Sequence, residues 1–245
     1  MTTVNRLAHM TTVEARAAAD RDTIVVLPVG ALEQHGPALP LGTDLIRAEA
    51  LVERVAAELP DLVVVGPSVP VGVSPHHVAF AGTMTLRPTT FVLVLREYLD
   101  ALAAHGWRRF LVVTGHGGNN AALGVLAQEV MHERPDLELA WAPVTALAPH
   151  AVGDMDRAEV TGHSGEAETA QMMHVAPDLV RTDQLDPLSR LARRTAPPTL
   201  AVPYDRLSSS GVLGDPRHAT ADQGRAILDE ATRVVVDHLK EWADT

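Results

Sequence analysis

Short β-branched runs alternate with amphipathic helical stretches along most of the chain, and this rhythm restricts the fold more than any other feature. Thr23–Val29 is a β-branched run closed by Gly30. From Asp44 to about Leu59, Leu45, Ala48, Leu51, Val52 and Val55 recur at helical spacing ahead of Pro60. Leu62–Val65 repeats the strand pattern and stops at Gly66-Pro67. A second amphipathic helix is expected from about Pro88 to His105, through Phe91, Leu95, Tyr98, Leu99 and Leu102, with Gly106 as its C-terminal cap. Phe110–Val113 and Leu137–Trp141 read as further strands flanking a helix from about Asn119 to His132. The C-terminal third is less regular. A helix begins near Gly165, a Pro-rich stretch surrounds Pro197-Pro198, and a helix from about Thr220 to Trp242 closes the chain.

This alternation predicts an α/β fold: a largely parallel sheet, helices on both faces, and right-handed crossovers between strands. Sites in such folds lie beyond the carboxyl ends of the strands. No repeat or low-complexity linker interrupts the 245 residues, so 1–245 is expected to form one domain. No run approaches the roughly 20 apolar residues that span a bilayer. The N-terminus lacks the pattern of a signal peptide, so a cytoplasmic protein with no membrane partner is expected.

Four polar clusters stand where strands end. Glu33-Gln34-His35-Gly36-Pro37 and Leu41-Gly42-Thr43-Asp44 follow the first strand, and Ser74-Pro75-His76-His77 follows the second. Thr114-Gly115-His116-Gly117-Gly118-Asn119-Asn120 follows the third, and Gly162-His163-Ser164-Gly165-Glu166-Ala167-Glu168 opens a later helix. Composition narrows what these clusters do. With 12 His and no Cys, disulfides, thiolate nucleophiles, iron–sulfur clusters and sulfur-bound zinc are excluded, so transition-metal chemistry must run on imidazole and carboxylate. A net charge of −11 argues against nucleic-acid binding, which depends on neutralising phosphates.

Glu33 and His35 are two residues apart, so in extended chain both point to one face. Asp44 at a helix start suits either an N-cap or a metal ligand, and the Glu33–His35 pair suits either a ligand set or a surface loop. His116 follows a buried strand at the edge where ligands bind, and Gly117 and Gly118 clear side chains beside it. The turn lacks the Lys of a P-loop and the third spaced Gly of a dinucleotide site, which favours a metal over a diphosphate. His163 and Glu166, three apart on a helix, can converge on one site as acid/base groups. Glu168 points elsewhere on that helix, as an exposed charge or as support for a ligand.

These stretches resemble the creatininase family. The match is carried by Leu27–Pro37, Leu39–Asp44, Phe80–Thr83, Gly115–Asn119, Glu166–Thr169 and Gly211–Pro216, in family order. The resemblance implies a three-layer α/β/α fold, a homohexamer, and a two-metal hydrolytic site with Glu33, His35, Asp44 and His116 as ligands to Zn, Mn or Fe. In creatininase a Tyr and a ligand Glu follow that His, where this chain has Gly117 and Gly118. The missing carboxylate is therefore expected from Glu166. The expected reaction is hydrolysis of a C–N bond in a small amide or cyclic amide by a metal-activated water. His163 or Glu166 would protonate the leaving nitrogen, and Ser74, His77, Gly117, Gly118 and Asn119 would orient the substrate. The Gly-Gly form is also similar to family branches that act as formamide deformylases or peptidases on short peptides. A non-catalytic metal- or small-molecule-binding protein is the remaining alternative.

Overall fold

The computed structural model describes residues 4–155, 162–185 and 201–245. The expected Pro-rich stretch around Pro197-Pro198 lies outside the described residues. Helix α1 (Thr12–Asp20) precedes strand β1 (Ile24–Val29), then α2 (Thr43–Glu58), β2 (Val63–Val65), α3 (Pro88–Ala103), β3 (Arg109–Thr114), α4 (Asn120–Glu133) and β4 (Glu138–Pro143). The short α5 (Pro149–Gly153), then α6 (Glu166–Val175) and α7 (Ala221–Ala243), complete the fold. Each expected strand and helix is present with ends shifted by a residue or two. The sequence rhythm did not reveal α1, whose capping box pairs Thr11 with Glu14 at the third helical position.

The four strands form one parallel sheet in the order β2-β1-β3-β4. Alternate residues feed opposite cores, as the pleat requires. Ile24, Val26, Leu111 and Val113 pack on the layer of α2, α5, α6 and α7. Val25, Leu27, Phe110 and Val112 pack on α1, α3 and α4. A parallel strand covered on both faces needs apolar residues throughout, and all six residues of β1 are buried.

The order of the strands positions the site. After β1 the chain crosses to β2 by α2 on one face, whereas after β3 it crosses to β4 by α4 on the other. The loops leaving β1 and β3 therefore part in opposite directions and open a crevice between adjacent strand ends. Gly115 lets the two sides meet, since a Cβ there would lie 1.9 Å from the Asp44 carbonyl oxygen. Among the described residues, no helix is long and apolar enough to cross a membrane.

Candidate metal centre

Glu33, His35 and Asp44 come from the loop after β1 and the first turn of α2, and His116 comes from the turn after β3. All four are buried, with Glu33 and His35 wholly inaccessible. Oε1 of Glu33 lies 3.1 Å from Nδ1 of His116 and 3.7 Å from Nδ1 of His163. Oδ2 of Asp44 lies 3.3 Å from Nδ1 of His116, and Oδ1 lies 3.4 Å from Nε2 of His35. Oε2 of Glu168, on the second helical residue beyond Glu166, is 3.7 Å from the same His35 nitrogen.

The hydrogen bonds on the far side of each ring fix which nitrogen faces inward. His35 donates Nδ1–H to the Glu33 carbonyl (3.1 Å), His116 donates Nε2–H to the Val73 carbonyl (3.1 Å), and His163 donates Nε2–H to the Gln34 carbonyl (2.7 Å). Each then presents its other nitrogen to carboxylate oxygens. Acceptors converging on acceptors are unfavourable unless a cation stands among them. Both oxygens of Glu33, Nε2 of His35 and Oδ2 of Asp44 are buried without a hydrogen-bond partner among the described residues. Native structures leave few such atoms, so four in one place fit a metal. Three groupings are close enough to share an ion: Glu33 with His35 and His163, Glu33 with His76 and His116, and His35 with Asp44 and Glu168.

Protons take up part of this role where no ion is bound. Burial alone depresses the His35 imidazole, but Asp44, Glu168 and Glu33 outweigh it and hold it at about 9. Burial acts likewise on His116, and Asp44 and Glu33 override it to lift that ring well above its ordinary range. Burial works against ionised Asp44, but His35 and His116 hold its carboxyl well below the usual range. Glu33 is pushed up by burial and by Asp44. His163, buried and facing His35, is pushed down to about 3 and stays a neutral ring.

Behind the cluster lies a buried arginine. Arg47 is 1% exposed, one helical turn beyond Asp44. It donates to Oε1 of Glu168 (2.5 Å), Oε1 of Gln171 (3.1 Å), the Gly115 carbonyl (3.3 Å) and Oγ1 of Thr145 (2.5 Å). Despite its burial, Glu168 is held below the carboxylate range by Arg47 and His35. Ser164 has a positive φ of 54°. In that conformation its hydroxyl donates to the His35 carbonyl (2.6 Å) and its N–H to Oε2 of Glu168 (2.7 Å).

Several residues take positions other than those expected. Glu166 is buried but accepts a hydrogen bond from Gln223 of α7 (2.9 Å) and belongs to none of the three groupings. Glu168 stands at the cluster in its place. Residues two apart on a helix differ by about 200° around the axis, so one faces the site and the other the neighbouring helix. His163, expected as a proton donor, spends its N–H on backbone and has the geometry of a ligand. Asn119, expected to orient substrate, donates to the Gly30 carbonyl and Thr114 and accepts from Val73 N–H, so its amide is spent on the fold. Ser74 is fully buried, its hydroxyl 3.3 Å from Nε2 of His116. Gly118 is required by that ring, because a Cβ there would lie 2.2 Å from His116 Nε2.

His77 does face the cluster. Gln34, whose carbonyl oxygen is fixed by the Gly36 N–H, donates its amide to Nδ1 of His77 (2.9 Å), leaving Nε2–H pointed at Glu33 at 3.5 Å. His76 and Tyr204 join the site without having been singled out in the sequence. The His76 ring lies 5.6 Å from that of His116, and Tyr204 meets His77 edge-on at 4.2 Å. Burial and the carboxylates of Glu33 and Glu168 push the Tyr204 hydroxyl up to about 12. The adjacency of His76 to His77 at a strand end was a usable signal, and in the short 3-10 turn of Pro75–His77 the two rings lie 4.2 Å apart. Nothing in the sequence around Tyr204 marks it.

The family model for creatininase, described as creatinine amidohydrolase, matches residues 8–239. A mycofactocin precursor peptide peptidase of Mycolicibacterium smegmatis is 36% identical over 230 residues, which is 89% of this chain and 85% of that protein. A creatinine amidohydrolase of Pseudomonas putida is 29% identical over 250 residues, covering 93% and 92% of the two chains. A solved structure described as "Creatininase Mn" superposes with a TM-score of 0.84 at 25% identity, over 98% of each chain.

Proposed function

The chain belongs to the creatininase family, and from that premise we propose that it hydrolyses the C–N bond of a small amide or cyclic amide at a centre of two divalent ions. The observation that carries this reading is the convergence of imidazole lone pairs and carboxylates with no hydrogen-bonding partner between them. The donor set of nitrogen and oxygen suits Zn, Mn or Fe, and the similar "Creatininase Mn" structure supports that choice. Glu33, His116 and His76 would hold one ion, and His35, Asp44 and Glu168 the other, with His163 facing Glu33 at the first. Divalent ions held there supply Lewis acidity toward a carbonyl oxygen and a water acidified enough to attack at neutral pH.

The chain's own groups position the rest. His77, fixed by Gln34 as an Nε2–H donor and kept neutral by burial and by His163, offers a hydrogen bond beside Glu33. Tyr204 packs edge-on against the His77 and His163 rings. Arg47 holds Glu168 in its ionised form. Replacing His116 by Ala removes the nitrogen nearest both Glu33 and Asp44. We expect His116→Ala to lose bound metal by elemental analysis and to fall by at least about 100-fold in amide hydrolysis. Retention of both metal and activity would sink the proposal. Peptide hydrolysis is the second reading, favoured by the 36% identity to a peptidase, and short peptides belong in the same assay panel.

A further inference from the structure

The two edges of the sheet are treated differently. At β2 the N-terminal segment closes the edge, with a bridge from Arg6 to Val65 and a hydrogen bond from the Val65 N–H to the Asn5 carbonyl. At β4 no further strand follows among the described residues. The ladder to β3 fixes which backbone groups of β4 face outward. The N–H groups of Glu138 and Val144 donate inward, to the Arg108 and Thr114 carbonyls. Alternation along the strand then turns the N–H and C=O groups of Leu139 and Trp141 away from the sheet. Neither residue spends them on another hydrogen bond among the described residues. Such an edge is a template for pairing, and β4 is guarded only by Glu138 at its first position and Pro143 at its last.

Beside this edge runs a groove of about 920 Å³, walled by Gly124, Ala127 and Met131 of α4 and by the end of α7. Its side chains are of the kind that fill interface cores. Met131 is 71% exposed and Trp141 39%, and with Trp242 the groove holds two of the chain's 3 Trp. Leu139 packs on the α3 and α4 side of the sheet, so Trp141, two residues on, leans to that same side.

We propose that this edge binds a second copy of the chain, β4 against β4 in antiparallel register about a two-fold axis at Ala140. In that register Leu139 faces the partner's Trp141 and Trp141 faces the partner's Leu139, and every outward N–H of the two residues finds a carbonyl. Pro143 meets the partner's Leu137, whose N–H already donates to the Arg134 carbonyl, so the ladder ends with no donor unpaired. The partner's Trp141 stands opposite Leu139 on the α4 side, where the small residues Gly124 and Ala127 keep the wall low. A Cβ on Gly124 meets nothing within 4 Å. Like charges stay apart as well. Each Glu138 faces the partner's Ala142, which separates the two carboxylates by about 13 Å along the ladder, more than a Debye length. Each also keeps Arg109 of its own subunit at 3.8 Å. An unrelated peptide would satisfy the outward groups, but the same pattern read from both ends is what an isologous contact requires.

The chain has no Cys, so one introduced thiol reports the register. The axial pair is not hydrogen-bonded, which places its Cα atoms about 4.5 Å apart, within reach of a disulfide. Ala140→Cys should therefore cross-link to a dimer under mild oxidation, whereas Val13→Cys, on the exposed face of α1, should not. In analytical ultracentrifugation the wild type should sediment as a dimer or a multiple of it. Trp141→Glu and Gly124→Phe should each sediment at half that mass or less, with zinc content and melting behaviour showing that the subunit remains folded. A monomeric wild type, an assembly whose mass survives either substitution, or no more cross-linking at Ala140→Cys than at Val13→Cys overturns the proposal. Mass and cross-linking are read without substrate, so the result stands apart from the hydrolase reading.

Discussion

His35 shows how much a single residue carries at this site. Its ring is inaccessible, its Nδ1–H is tied to the Glu33 carbonyl, and Asp44 and Glu168 raise its pKa to about 9. In metal-free protein it is protonated at pH 7, and an incoming ion must displace that proton. Metal affinity should therefore rise with pH up to about 9, with proton release measurable by calorimetry in buffers of different ionisation enthalpy. The sign for stability is opposite. A histidine whose pKa rises on folding stabilises the fold fully below the unfolded value near 6.5, and this is lost as pH climbs through about 9. In EDTA, wild type and His35→Gln should differ in how the urea midpoint changes between pH 6 and pH 9, the variant lacking this falling contribution, and superimposable profiles would refute the assignment. The two glutamates of α6 separate equally cleanly. Glu168→Gln should weaken metal affinity by at least about tenfold, whereas Glu166→Gln, engaged with Gln223, should leave it within about threefold. Titration with a chromophoric chelator reads both.

At the scale of elements, the site depends on turns that bring backbone unusually close. The turn after β3 passes Asp44 at Gly115 and then bends so that Gly118 lies under the His116 ring. Gly118→Ala should displace that ring and lower metal occupancy by at least about tenfold, readable by elemental analysis of the purified variant. The strands and helices were legible in the chain because β-branched runs and helical apolar spacing are local signals. Glu33, His35, Asp44 and His116 were legible as ligand candidates because they stand at strand ends. The choice between Glu166 and Glu168 was not, because periodicity shows only that they face differently. Which one turns inward is decided by the packing of α6 against α7, through Gln223. Tyr204 escaped notice for a related reason. It reaches His77 across more than half the chain's length, with no motif to link the two positions.

At the scale of the whole molecule, the strand order makes the crevice and the side chains fill it. Strands β1 and β3 are covered on both faces, and their diverging loops bring candidate ligands from opposite faces to one point. From Glu33 to Glu168 those ligands span more than half of the sequence. Two ions held among them as proposed would be cross-links as well as reagents. One would join the β1 loop to the β3 turn and the other the β1 loop to α6, much as disulfides join distant cysteines, closing long loops whose entropy the free chain would otherwise keep. Removing the ions should untie α6 before the sheet. Amides of Ala167–Met172 are expected to exchange with deuterium at least about tenfold faster in EDTA, while those of Val25–Leu27 keep their protection. The segment that supplies Glu168 would then be held by chemistry in the loaded protein and by packing alone in the empty one.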